Sequence, residues 1–208
     1  MNIPCLFEDQ WLAVFDKPSG MLSVAAPDAA RRNLTDVLNE HARGTGLTYR
    51  FHPCHRLDRE TSGVIVFAKG KAAQQAVMEL FRRRSVKKTY LAFVQGHLAK
   101  ATSTINSPVN GEQARTDYRV LERRQAFSVV EVSPQTGRTN QIRIHFKSLG
   151  HPLVGESTFA FRKDFALKAK RVCLHAAAIG FKHPWTGAAV QAEAALAPDM
   201  QKFLQEHR

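Results

Sequence analysis

Cysteine is scarce in this chain, and the three that occur, Cys5, Cys54 and Cys173, are far apart. An odd number of widely spaced thiols is typical of a reducing compartment and does not make a disulfide framework. No stretch approaches the ~20 apolar residues that span a bilayer. The first residues also lack the basic segment and long apolar run of a targeting signal. We therefore expect free thiols, no membrane insertion and a cytoplasmic location.

Acidic residues are also few. Asp and Glu number 18 against 30 Lys and Arg, which gives a formal net charge of +12 and an isoelectric point near 10.1. Such an excess favours a polyanionic partner, and nucleic acid is the first candidate. With 44% hydrophobic residues and no repeat or linker, the 208-residue chain is expected to form a single domain over 1–208. A monomer without an obligate protein partner is the default expectation.

Hydrophobic periodicity predicts more strands than helices. Helices are predicted from the N-cap Asn33 to Gly44 and over 72–81. Segment 139–150 fits both a strand and a helix, and we favour the helix. The pattern indicates an α+β fold around a mostly antiparallel sheet. The predicted strands cover 5–8, 11–16, 63–68, 89–94, 118–121, 127–132, 174–181 and 188–194.

Motifs of several common enzyme classes are missing. The chain has no P-loop, no dinucleotide glycine fingerprint and no Gly-x-Ser-x-Gly elbow. His52, Cys54, His55, Cys173 and His175 are residue types that bind zinc. However, His52 to His55 are too close for paired ligands, and no Cys-x-x-Cys occurs. We expect neither a metal nor a cofactor.

A polar loop places Asp58 between Arg56 and Arg59, directly before the predicted strand 63–68. Nearby positive charge keeps a carboxylate ionised, and an ionised carboxylate can attack carbon or accept a proton. Asp58 is therefore a candidate nucleophile or base. The alternative is a surface turn in which Asp58 only pairs with Arg56 or Arg59.

Two arginines mark the predicted helix 139–150. Arg138, near its start, could hold a phosphate, as helix N-termini do. Arg143 lies among apolar residues and needs a carboxylate partner if it is buried, for which we propose Asp58. The alternative is that Arg143 lays its stem along the core and exposes its head.

A basic cluster from Arg82 to Lys88 leads into a predicted strand that carries Tyr90. Together these side chains could bind phosphates and stack on a base. The alternatives are a helix end whose cations complement the helix dipole, and a tyrosine that packs in the core.

Five tracts follow one another in order along the chain: Asp9–Leu12 through Asp16–Gly20, His55–Asp58 with Thr61–Gly63, Lys88–Tyr90, Thr136–Arg138 with Gln141–Arg143, and Leu174–Ala176. In this order, and with the HRLD-x-x-TSG tract intact, they resemble the RluA-type pseudouridine synthases. The resemblance implies a mixed, mostly antiparallel central sheet with flanking helices. It also implies an enzyme that isomerises uridines in tRNA or rRNA without a cofactor.

The resemblance also implies roles for individual residues. Asp58 matches the essential aspartate, which attacks either C1′ of the sugar or C6 of the base. Tyr90 matches the tyrosine that packs on the target base, and Arg143 the arginine that pairs with the catalytic carboxylate. Arg56 matches the arginine that fills the gap left by the flipped uridine. Further RNA contacts are expected at Lys88, Arg138, Leu174 and His175.

The chain departs from the family pattern at Asn140, where histidine is usual, and at Glu156 of Gly155-Glu156, where Gly-Asp is the commoner pair. Neither position is expected to carry the chemistry. An N-terminal S4 module is expected to be absent, so RNA affinity should come from Arg82 to Lys88 and Arg162 to Arg171. Two alternatives stay open, a non-catalytic RNA-binding protein of the same fold and a metal-dependent hydrolase acting on RNA.

Overall fold

The computed structural model describes residues 3–25, 32–160 and 167–207, which form two compact units. Unit 1 contains the described residues up to Lys87 together with Ala178–Ala195, and unit 2 contains the others. A single domain over 1–208 stays a prediction. None of the helices in the described ranges is long and apolar enough to cross a membrane. In chain order the elements are β1 Cys5–Glu8, β2 Leu12–Lys17, α1 Leu34–Gly44, β3 Phe51–Pro53, β4 Ser62–Lys69, α2 Lys71–Arg82, β5 Lys87–Gln95, β6 Thr102–Asn106, β7 Arg115–Arg123, β8 Phe127–Pro134, α3 Gln141–Ser148, β9 Leu174–Lys182, β10 Ala189–Glu193 and α4 Pro198–Glu206.

In unit 1, β4 is the central strand. It pairs antiparallel with both β2 and β3, while β1 pairs with β2 and β10 with β9. β4 is almost entirely buried, which explains its continuous β-branched and aromatic sequence. Val64 and Val66 of β4 pack with Ala73 and Val77 of α2 in one core cluster. The N-cap at Asn33 is confirmed, because its side chain accepts a hydrogen bond from Asp36 N at 3.1 Å.

In unit 2, β5, β8, β7 and β6 pair in that order, and every one of these pairs is antiparallel. α3 places Ile142 and Phe146 in a core cluster with Val130 and Val132 of β8. These contacts explain why segment 139–150 is a helix. Gln141 and Ile142 are buried together with His145 and Phe146. A helix places these two adjacent pairs on one face, whereas a strand would divide each pair between its two faces.

The predicted α+β class and the mixed, mostly antiparallel sheet are confirmed. All the predicted strands and helices occur, including the helix at α3. Three elements were not predicted: β3, β6 and α4. β3 has only three residues, and β6 pairs only with β7 along the described sheet path. α4 begins with Pro198 and buries Met200 and Phe203, a spacing that could have revealed it.

Candidate active site

Asp58 lies half-buried in the loop between β3 and β4. The loop turns at this residue, since Asp58 O accepts a hydrogen bond from Thr61 N at 3.1 Å. On the preceding side, Leu57 is buried and exchanges two hydrogen bonds with the Ser23 hydroxyl, at 2.9 Å and 3.0 Å. The backbone on this side of the carboxylate is therefore held from a second loop.

The same second loop holds the other side of Asp58. Gly20 N donates to Arg59 O at 2.8 Å, and Ser19 Oγ donates to Glu60 O at 2.8 Å. Gly20 has a φ of +84°, a left-handed conformation that glycine adopts without strain. Residues on both flanks of Asp58 are thus fixed by 18–23, which favours a preorganised carboxylate.

Lys17 is the cationic anchor of these two loops. Its side chain is fully buried, and Nζ donates to Pro18 O, Met21 O and Arg59 O at 3.0, 2.8 and 3.3 Å. A buried ammonium needs such acceptors to offset its lost hydration. Lys17 was named from the sequence only as part of a family tract, and this role was not predicted. A Lys-Pro pair at the end of a buried strand is a weak signal for it.

The zinc interpretation finds no support in the described residues. No group of three or more His, Cys, Asp or Glu side chains there is arranged to hold a metal ion. His55 Nε2 accepts a hydrogen bond from Val66 N at 3.0 Å, and its ring lies on Phe81 with centroids 4.8 Å apart. All three cysteines are free thiols, and burial raises the pKa of Cys54 and of Cys173 to about 12.

In unit 2, Gln141 organises the loop that precedes α3. Its buried amide accepts hydrogen bonds from Thr136 Oγ1 and Arg138 N at 2.7 and 3.0 Å. It also donates to Arg115 O and Thr116 Oγ1 at 3.0 and 2.9 Å. The amide thus makes all four of its hydrogen bonds, two as acceptor and two as donor. These bonds connect the loop to β7, so α3 starts in a defined position.

Arg143 is buried, with 8% of its surface exposed, so the alternative of a solvent-exposed head is wrong. Its partner within unit 2 is Glu156, which was expected to carry no chemistry. Nε and Nη2 contact the two carboxylate oxygens at 2.7 and 2.8 Å, in a bidentate pair. Asn140 Oδ1 and Thr158 Oγ1 accept from Nη1 and Nη2 at 2.9 and 3.2 Å.

Glu156 also orders the turn that follows it. Its Oε1 accepts hydrogen bonds from the backbone N–H groups of Ser157, Thr158 and Phe159, at 2.8 to 3.2 Å. The Phe159 ring then lies 5.0 Å from the guanidinium carbon of Arg143. Burial alone would raise the pKa of Glu156, but hydrogen bonds from Arg143 and this backbone hold that pKa below its usual value.

This depressed pKa predicts a pH-dependent stability. A carboxylate whose folded-state pKa is lowered stabilises the protein above its unfolded pKa, near 4.5, and loses that contribution as pH falls through the folded pKa. In urea unfolding between about pH 7 and about pH 3, the difference in stability between wild type and Glu156→Gln should therefore shrink. Asp199, whose pKa is also lowered, is present in both proteins and cancels. A difference independent of pH would contradict the assignment.

The proposed RNA contacts differ in accessibility. Arg56 is exposed, and Tyr90 is half-buried against the core of unit 2. Lys88 is also half-buried, donates to Thr136 O at 3.3 Å, and has its pKa lowered by burial. Leu174 and His175 are 3% and 0% exposed, so their side chains offer RNA no surface in this structure. Leu174 belongs to the core cluster of unit 2.

Several of the cations predicted to bind phosphates already form ion pairs within the protein. Arg138 Nη1 contacts Glu112 at 3.0 Å, and Arg82 and Arg83 both contact Glu79 at 2.7 Å. In the second predicted basic segment, Arg162 to Arg171, the described cations differ in exposure. Arg171 is buried and forms a bidentate pair with Asp199, Lys168 and Lys170 are exposed, and 161–166 lie outside the described residues.

Among the candidate residues, Arg56 and Asp58 belong to unit 1, whereas Lys88, Tyr90, Arg138 and Arg143 belong to unit 2. Residues 11–148 match the protein-family description RNA pseudouridylate synthase. That match covers the Asp58 loop and α3 together. The chain belongs to the RNA pseudouridylate synthase family. The predicted resemblance to the RluA type is confirmed, as is the predicted enzyme class, an isomerase that makes pseudouridine in RNA.

Individual relatives agree with the family. The chain is 37% identical over 200 residues to the dual-specificity RNA pseudouridine synthase RluA of Yersinia pestis, covering 88% of this chain and 93% of that protein. It is 33% identical to the uncharacterized RNA pseudouridine synthase YlyB of Bacillus subtilis, covering 100% of this chain and 74% of the relative. The solved human RNA pseudouridylate synthase domain containing 4 has the same fold, with a TM-score of 0.80 at 24% identity over 97% of this chain and 91% of that one.

Proposed function

We propose that this pseudouridine synthase uses Asp58 as its catalytic carboxylate on uridines of tRNA, rRNA or both. The observation that carries the proposal is the Asp58 loop. Leu57, Arg59 and Glu60 are all hydrogen-bonded to the loop 18–23, so the backbone on both sides of the carboxylate is fixed. A carboxylate held in this way needs little reorganisation on reaching the transition state.

The reaction conserves all atoms of the uracil ring and the ribose. Asp58 attacks C1′ or C6, the bond between N1 and C1′ breaks, and the detached uracil turns to present C5. A bond between C5 and C1′ then forms, and the bond between Asp58 and C1′ or C6 breaks, which releases the carboxylate. C5 loses its proton to a base or to water, and N1 gains one. Because the carboxylate is regenerated, no oxidant, reductant or co-substrate is consumed.

Three further residues have proposed roles in the same reaction. Tyr90, half-buried at the start of β5, packs on the target base. Arg143 pairs with the catalytic carboxylate, a role taken from the family resemblance. Arg56, which is exposed, occupies the gap left when the uridine leaves the RNA stack. Flipping is necessary because the reacting atoms are inaccessible in stacked RNA.

The substrate proposal rests on the relatives' names. The Yersinia pestis protein is called dual-specificity, and a Nitrosomonas europaea relative, 34% identical over 223 residues, is called ribosomal large subunit pseudouridine synthase D. These names specify ribosomal RNA alone, and tRNA comes from the resemblance to the RluA type. We propose that this chain acts on tRNA, rRNA or both, in the cytoplasm and as a monomer.

The direct test measures tritium release from RNA. Purified protein is incubated with bulk tRNA or rRNA that carries tritium at C5 of uridine, because each isomerisation releases that hydrogen. Release from at least one RNA class, with pseudouridine found by mass spectrometry, is the expected result. Binding without release from either class would favour the non-catalytic RNA-binding alternative. Metal-dependent cleavage of the RNA without tritium release would favour the hydrolase alternative, because hydrolysis leaves the bond between C5 and its hydrogen intact.

RNA affinity is expected to depend strongly on salt. The net charge is +12, and Arg84 and Lys87 are exposed near the start of β5. Displacement of counterions from several phosphates should weaken binding about a thousand-fold between roughly 50 and 200 mM salt. Arg84→Gln should reduce the slope of log affinity against log salt concentration by about one, whereas Lys202→Gln on α4 should leave that slope unchanged. Affinity that is flat across the salt series would contradict this prediction.

A further inference from the structure

Both positions at which the chain departs from the family pattern contact the same guanidinium. Asn140 Oδ1 accepts from Nη1 of Arg143 at 2.9 Å, and Glu156 binds Nε and Nη2 at 2.7 and 2.8 Å. The resemblance to the RluA type implies histidine at position 140 and aspartate at position 156. The two departures are 16 residues apart in the chain, yet they meet at one side chain.

The arrangement fixes the direction of the guanidinium. The Glu156 side chain is only 1% exposed and Arg143 is 9% exposed at its side chain, so the pair is shielded from water. Thr158 adds a hydroxyl contact and Phe159 a ring contact, and both are placed by the turn that Glu156 nucleates. Because a bidentate pair constrains both distance and plane, small changes at Glu156 must move Arg143.

The backbone at position 140 explains which side chains can take part. Asn140 has a φ of +57° and lies in the left-handed region. Asparagine and histidine are both enriched there among non-glycine residues, and both can present an acceptor to Arg143. Glutamate at 156 is one methylene longer than aspartate, whereas asparagine at 140 is smaller than histidine. A longer carboxylate on one side thus accompanies a shorter acceptor on the other.

We propose that Asn140 and Glu156 are a coupled pair of positioning residues that set the Arg143 guanidinium for catalysis. The inference deepens the proposed function and rests on the role proposed there for Arg143. It implies that the family-typical combination, histidine with aspartate, is an alternative solution to the same geometric requirement. Histidine at 140 with glutamate at 156, or asparagine at 140 with aspartate at 156, should misplace the guanidinium.

A double-mutant cycle tests the coupling. Asn140→His, Glu156→Asp and the double variant are compared with wild type in steady-state tritium release from the RNA class that the wild type modifies. Each single variant should lower kcat by about ten-fold or more, with KM little changed, because misplaced catalytic groups slow the chemical step. If the two single effects were independent, they would multiply in the double variant. The kcat of the double variant should be at least about five-fold higher than that product predicts.

A matched control separates positioning from folding. Asp199→Asn cuts another bidentate pair with a buried arginine, Arg171, outside the proposed site. It should lower thermal stability and leave kcat unchanged, whereas Glu156→Gln should lower both. Thr158→Val, which removes only the hydroxyl contact at 3.2 Å, is a milder variant if Glu156→Gln fails to fold. It should lower kcat by a few-fold.

The outcomes distinguish this inference from the proposed function. Single effects that multiply independently in the double variant, or a Glu156→Gln enzyme as active as Asp199→Asn, would overturn the coupled pair while leaving the function intact. If the wild type releases no tritium from any RNA, the proposed function fails. The same cycle measured by urea unfolding would then still have to show coupling in stability, since the contacts belong to the fold.

Discussion

Asp58→Asn protein is expected to bind RNA and to release tritium from it about four orders of magnitude more slowly than wild type, or not at all. The amide keeps the shape of a half-buried side chain, but it can neither attack carbon nor accept a proton as a carboxylate does. The Asp58 loop is held through the backbone of Leu57, Arg59 and Glu60, so the substitution should leave the loop in place.

The matched control is Asp117→Asn on β7, which also changes one carboxylate to an amide. Asp117 contacts Thr104 and Arg115 at the surface of unit 2, and its replacement should leave the rate within about two-fold of wild type. RNA affinity of both variants, measured at one salt concentration, should equal that of wild type. An Asp58→Asn enzyme that retains a tenth or more of the wild-type rate would show that another group supplies the chemistry.

Lys17→Met is expected to destabilise the protein by about 3 kcal/mol and to slow tritium release by about ten-fold or more. Methionine fills the same space but leaves the carbonyls of Pro18 and Met21 without the ammonium donor. The gain from no longer burying a charge offsets part of this loss. Because Nζ also reaches Arg59 O, next to Asp58, the loop that carries the carboxylate should become looser.

Lys69→Met is the control for this prediction. Lys69 ends β4, about 20 Å along the strand from the Asp58 loop, with Nζ 2.7 Å from Glu8 and 2.5 Å from Asp9 O. Its replacement should also lower the free energy of unfolding but should not change kcat. Urea unfolding and tritium release well below the unfolding midpoint measure the two effects. Equal rates for Lys17→Met and wild type would show that Lys17 contributes to stability and not to catalysis.

Local patterns in the sequence predicted most of the fold. β4 is a continuous apolar run bounded by glycines, and α1 has an Asn33 cap, so both were recognisable without tertiary information. β6 was not, because only Ile105 of its five residues is buried and pairing with β7 maintains the strand. Propensity cannot identify a strand whose stability comes from a neighbour distant in sequence.

The site was predictable in its motif residues and not in its supporting contacts. Asp58, Tyr90 and Arg143 stand out through charge, spacing and family resemblance. The partner of Arg143 within unit 2 is 13 residues away, in a turn with no periodicity, and its glutamate was set aside as a departure. Arg171 was assigned to the RNA surface because a lone arginine in a basic segment gives no sign of its pairing with Asp199. Such pairings depend on tertiary structure.

One measurement tests the central claim most directly. Pseudouridine is mapped across all cellular RNA of the source organism with the gene deleted, and again after restoration with wild-type or Asp58→Ala protein. Deletion is expected to remove pseudouridine at one or more defined sites in tRNA or rRNA, and only the wild-type protein is expected to restore it. A map unchanged by deletion under several growth conditions, or one restored equally by Asp58→Ala, would contradict the central claim.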